Sequence, residues 1–164
     1  MTIHFFYDFK DEMIKKLNEY FSEELEALRY EKKQVNQIDD AEKSIRNYFK
    51  NIVADMSEII EASDEKIKFE SDDDVIGKLT IMKHYLKFTR KDVSIEVKIG
   101  YYIPEDDFVE SMVLSYIVPG EKKPKIKRVG KIHDGSNFDE NTLNYYMREA
   151  FGELNMIKGQ GGQI

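Results

Sequence analysis

Apolar positions divide the chain into a helical opening, a central region of strict alternation and a helical end. Between Phe9 and Val35, the residues Ile14, Leu17, Phe21, Leu25 and Leu28 recur at spacings of three and four, which predicts an amphipathic helix. With Met13 and Tyr20 included, the apolar sector is roughly 140° wide at about 100° per residue. A sector that broad exceeds a coiled-coil seam and predicts packing on more than one neighbour. A polar stretch at 36–40 then predicts a break, because Asp39 stands three residues before Glu42, as in a capping box, with Ile38 as staple. A second helix is expected to run to about Ile60, burying Ala41, Ile45, Tyr48, Phe49, Ile52, Val53, Met56, Ile59 and Ile60. The two helices are expected to form an antiparallel helical hairpin, with a bent continuous helix as the alternative.

From Glu65 the period changes to two. Ile67 and Phe69 begin the first strand, Val75, Leu79 and Ile81 the second, and Leu86 and Phe88 the third. Gly77 marks a bulge or a close approach within the second. Val93, Ile95, Val97, Ile99 and Tyr101 alternate with polar partners along the fourth strand. A fifth strand spans Phe108 to Val118 and a sixth Ile126 to Ile132. The connections are too short for parallel crossovers, so an antiparallel meander of five to six strands is expected. Asn137, three before Glu140, predicts the cap of a C-terminal helix that buries Leu143, Tyr146, Met147, Ala150 and Leu154. The fold class is therefore α+β: an N-terminal helical hairpin, the meander and a C-terminal helix, with the helices on one sheet face. A single domain over 1–157 is expected, followed by a Gly- and Gln-rich flexible tail at 158–164.

Composition removes several function classes. The 164 residues include no Cys, which excludes a disulfide framework, thiolate metal sites and a Cys nucleophile. No apolar stretch approaches a membrane span and no signal sequence follows Met1, so a cytoplasmic protein without membrane association is expected. Only three His are present, His4, His84 and His133, and none stands at ligand spacing from another; they read as ordinary surface or turn residues. Asp72-Asp73-Asp74 invites a calcium loop, but position five would be Ile76 and position twelve Lys83, so it reads as a solvated turn. Neither a nucleophile elbow nor a phosphate loop occurs. No catalytic residue, metal ligand or cofactor is assigned.

The net charge of −7 is uneven. Residues 1–75 hold 11 basic and 20 acidic groups, whereas residues 121–133 hold six basic groups and one acid. That basic strip, Lys122, Lys123, Lys125, Lys127, Arg128 and Lys131, spans a turn and a strand and suits an acidic partner. Parity puts Lys125, Lys127 and Lys131 on one face and Arg128 on the other. Tyr30, Tyr102 and Tyr145 fall outside the predicted buried faces, and tyrosines are enriched at interaction surfaces. The N-terminal run Phe5, Phe6, Tyr7 and Phe9 is expected to fold onto the core or to form an interface.

These features favour contact over catalysis. The expected function is a non-enzymatic protein-interaction or regulatory module with a protein partner or a second copy as its target; an acidic inhibitor or immunity-type protein that covers a basic partner surface, steered by the acid excess of residues 1–75, fits inside this class. A small-ligand domain with a pocket between helices and sheet is the alternative, and weak nucleic-acid contact through the 121–133 strip is the third reading. Overall acidity disfavours nucleic acid, whose phosphates several cations must neutralise.

Overall fold

In the computed structural model the alternating region forms one six-stranded antiparallel sheet in sequence order. Its strands are β1 (Ile67–Glu70), β2 (Val75–Ile81), β3 (His84–Arg90), β4 (Ile95–Ile103), β5 (Phe108–Val118) and β6 (Lys125–Arg128). The helices α1 (Thr2–Tyr20), α2 (Ser22–Asp55) and α3 (Ser57–Ala62) precede the sheet, and α4 (Glu140–Gly161) follows it. The α+β architecture with a meander is thus the one its periodicities require. The structure describes residues 2–103, 105, 108–129 and 135–161, with side chains described for 8–103, 105, 109–129 and 135–152. Lys131 and His133 lie outside the described residues, as do the side chains of His4, Phe5, Phe6 and Tyr7.

Two compact units divide the chain, 1–36 and 37–164. The first is entirely helical. It begins at Thr2, earlier than the expected Phe9. At Phe21 the hydrogen bonding stays helical, since Phe21 N–H donates to Leu17 O (2.9 Å) and Leu25 N–H to Phe21 O (2.8 Å). Phe9, Met13, Ile14, Leu17, Phe21 and Leu28 are exposed, so the sector expected to be buried faces solvent. The reason lies inside the unit: a run of helix offers no second element against which to bury its own stripe.

The helical hairpin is not formed. Residues 36–40 are helical and belong to α2, which runs unbroken from Ser22 to Asp55. Nothing in Asn36-Gln37-Ile38-Asp39-Asp40 breaks a helix, there being neither Gly nor Pro. The spacing that resembles a cap serves an ion-pair network instead. The Arg90 Nη1 donates to Asp39 Oδ1 (2.9 Å) and to Glu42 Oε1 (3.2 Å), while Arg46 Nε donates to Glu42 Oε2 (3.1 Å).

Within 37–164, the C-terminal half of α2 and the start of α4 cover one face of the sheet. Ile38, Ala41, Ile45 and Phe49 from α2 meet Leu79, Leu86, Phe88, Ile95, Val97 and Ile117 from the strands and Leu143, Tyr146, Ala150 and Phe151 from α4. Phe49 is the centre of this layer, with its ring 5.2 Å from Phe69 and 5.5 Å from Phe88. Gly77 is needed there, because a Cβ would stand 2.9 Å from the Phe49 ring. A bulge between Val75 and Gly77 inserts Ile76, which is buried, and another opposite Val97/Lys98 inserts Leu114 beside the core. Each bulge therefore adds one apolar side chain to the covered layer and shifts the in/out parity of its strand by one residue.

The cap of α4 is Asp139 rather than Asn137. Asp139 Oδ1 accepts from Thr142 N–H (3.1 Å), and Asp139 N–H donates to Thr142 Oγ1 (3.2 Å), a reciprocal box two residues later than the sequence pattern suggests. The helix also continues through Lys158–Gly161, the start of the segment expected as a tail.

Candidate functional site

The second face of the sheet carries the residues of opposite parity, and the register decides which of them meet. Lys78 lies directly opposite Lys87, and Lys87 directly opposite Lys98. A neighbouring row pairs Lys68 with Thr80, Thr80 with Tyr85, Tyr85 with Gly100 and Gly100 with Ser111. On the other side Thr89, Glu96, Tyr116 and Lys127 stand in line. Among the described residues this face thus presents Lys68, Lys78, Lys87, Lys98, Lys125 and Lys127 against two carboxylates, Glu70 and Glu96. The centre of this face is polar, with Val109, Val113 and Val118 on its β5 side.

Directly opposed like charges destabilise a sheet by up to about 1 kcal/mol per pair. Two contacts soften the repulsion here. Lys78 Nζ sits 4.8 Å from the centre of the Tyr85 ring, a cation–π contact. Lys98 Nζ lies 3.8 Å from Glu96 Oε1, beyond hydrogen-bonding distance. Lys78, Lys87 and Lys98 are half-buried on this face.

The basic strip read from the sequence is split by the fold. Lys122 and Lys123 are exposed in the β5–β6 connection, and Lys125 and Lys127 extend the open lysine face. Arg128 lies on the covered face, opposite Ser115, with its guanidinium 5.1 Å from the centre of the Tyr145 ring. The tyrosines separate as well. Tyr30 is exposed in the 1–36 unit and Tyr102 is exposed on the open face of β4. Tyr145 is not in solvent: it is half-buried against the core and beside Tyr146, because Arg128 reaches over it from β6. Lysines 68, 78, 87 and 98 are the site residues that sequence reasoning missed. Each of β1 to β4 contributes one of them, and only the register brings them together.

His84 is also a correction. It is buried at the start of β3, with its ring 4.8 Å from that of Tyr101, and it borders a cavity of about 400 Å3 with Glu110 and Glu149. The two-residue turn Met82-Lys83 carries the bend through Met82, whose φ is +60°, so His84 is free to start the strand. A further cavity of about 420 Å3 between α2 and the start of α4 is lined by Asp40, Asn47, Tyr48, Asn51 and Glu140 among others. Tyr48 donates its hydroxyl to Asn144 Oδ1 (2.8 Å). Burial, and secondarily the Glu140 carboxylate, push its pKa above the usual tyrosine value of 10.0.

Among the described residues, no helix is long and apolar enough to cross a membrane. The chain matches no family model, no curated protein and no solved structure.

Proposed function

We propose that this chain is a non-enzymatic interaction module that docks an acidic protein surface on the open face of its sheet. The observation that carries the reading is the Lys78–Lys87–Lys98 row, three lysines at directly opposed register positions across three adjacent strands. A sheet gains stability from opposite-charge or aromatic pairs at such positions, and it loses stability from this arrangement. An anionic surface laid across the row relieves the repulsion on binding, so part of the stability lost in the free state returns as affinity. A face with tyrosines among lysines also suits a protein surface, since tyrosine is common at protein contacts. The net charge of −7 opposes a long nucleic-acid strand at every point beyond the face itself, which favours protein over nucleic acid.

The test uses fluorescence anisotropy with a labelled polyglutamate peptide and, separately, a labelled single-stranded oligonucleotide, both at low salt. The expected result is saturable, salt-sensitive binding of the acidic peptide that K78E/K87E/K98E abolishes. Stronger binding of the oligonucleotide would transfer the face to nucleic acid. Peptide binding that survives the triple charge reversal would remove this face from the function altogether.

A further inference from the structure

The 1–36 unit carries an apolar stripe whose spacing is the same read in either direction. Ile14, Leu17, Phe21, Leu25 and Leu28 follow one another at intervals of three, four, four and three residues, a series symmetric about Phe21. At about 100° per residue all five fall within a sector roughly 80° wide. Ile14, Leu17, Phe21 and Leu28 are 43–48% exposed, and Leu25 is half-buried. Hydrogen bonds from Phe21 N–H to Leu17 O and from Leu25 N–H to Phe21 O keep the backbone helical through the stripe. The intervals in sequence are therefore also intervals along one helical surface.

A series symmetric about its centre suits a two-fold axis through that centre. Two copies laid antiparallel with Phe21 at the axis place Ile14 level with the second copy's Leu28, Leu17 with its Leu25, and Phe21 with its Phe21. Charge decides between this arrangement and a parallel one. Lys10 and Glu31 are exposed, lie in the same sector and close the stripe at its two ends. In the antiparallel pair Lys10 comes within one residue of the level of the second copy's Glu31, at both ends. Asp11 and Lys32, together on one flank of the stripe, meet in the same way. A parallel pair in register instead sets Lys10 against Lys10 and Glu31 against Glu31. From Lys10 to Glu31 the stripe runs about 32 Å, the length of three heptads, which is what a helical pair needs to hold.

We infer that the occupant of this stripe is a second copy of the chain, bound as an antiparallel helical pair over residues 10–32 with Phe21 at the two-fold axis. Burial of the five apolar side chains of each copy drives the association, and the Lys10–Glu31 and Asp11–Lys32 pairs fix its direction. The inference is independent of the lysine face of the sheet.

The experiment is sedimentation equilibrium of the full chain at micromolar concentration, with the direction of the pair read by spin labels. The wild-type chain is expected to be a dimer. Leu17→Glu is expected to be a monomer of unchanged helicity by circular dichroism, because residue 17 is exposed in the single chain. Lys10→Glu and Glu31→Lys should each weaken the dimer about tenfold, since either reversal spoils a charge pair at both ends. A mixture of these two variants should recover the wild-type affinity as a heterodimer, in which each residue 10 again meets an opposite charge. The chain has no Cys, so a label on Glu12→Cys is unique. Residue 12 lies level with residue 30 of the second copy, which sets the two labels about 27 Å apart along the axis, against about 10 Å for a parallel pair. A monomeric wild-type chain, the short label distance, a dimer indifferent to Leu17→Glu, or a mixture no tighter than its components would each overturn the assignment.

Discussion

The ring of Tyr85 lies over Gly100, its direct cross-strand partner, and fills the space that a side chain at residue 100 would occupy. Tyr85 is thereby buried although it belongs to the open face, and Lys78 caps it from the other side. The tyrosine restores the packing that a strand glycine forfeits, and it levels the surface next to the lysine row. Gly100→Ala should force the ring aside and cost about 1–3 kcal/mol in urea denaturation, a typical penalty for overpacking. Tyr85→Ala/Gly100→Ala should then be less unstable than the sum of its single variants, because the clash is gone.

Gln37 links α2 to the β5–β6 connection with the geometry of a peptide group. Its Nε2 donates to Gly120 O (3.1 Å) and its Oε1 accepts from Gly120 N–H (2.9 Å). Gln37→Leu leaves both backbone groups without these partners and should lower stability by about 1–3 kcal/mol. Gln37→Glu keeps the acceptor alone and is expected to fall between the two. Equilibrium unfolding of the three proteins decides this.

The Arg90 guanidinium serves Asp39 and Glu42 together, and its side chain is only 17% exposed. A double-mutant cycle on Arg90→Ala and Glu42→Ala should return a coupling of about 1 kcal/mol or more, above the usual value for exposed pairs. The coupling should shrink in high salt. A coupling near zero would mean that Arg90 matters only through its packing.

Tyr48 makes the alkaline limb of stability predictable in sign. Its pKa is raised in the folded protein, chiefly by burial and then by Glu140, so the fold favours the neutral phenol. The stability this contributes is complete below the unfolded value of about 10 and is lost as pH rises through the folded value. Tyr48→Phe cannot ionise and should flatten that part of the pH–stability curve. It should also lose the Asn144 hydrogen bond at every pH, which a melt series from neutral to alkaline pH separates from the ionisation effect.

Much of the fold is legible in the alternation of apolar residues. Val93 to Tyr101 announces β4, and the bulge at Gly77 follows from a glycine inside a strand pattern. Asp39 and Glu42 mislead because a carboxylate pair at that spacing serves equally as a cap or as an ion-pair clamp. Only the approach of Arg90 from β3, 48 residues after Glu42, distinguishes the two. His84 misleads for a similar reason: it follows a turn, and its burial depends on Tyr101, its partner in β4.

The sequence by itself determined the order of the elements, the alternation along β4 and the split of Lys127 from Arg128, because these depend on periods of two and 3.6 within a few residues. Tertiary structure decided the register. The hairpin turns and two bulges set which residues of neighbouring strands stand opposite one another, and that choice brings Lys78, Lys87 and Lys98 into one row. It likewise places Ser115 across from Arg128. Parity is local and needs only the pleat of one strand, whereas register is a relation between strands, settled when their turns and their shared core are satisfied together.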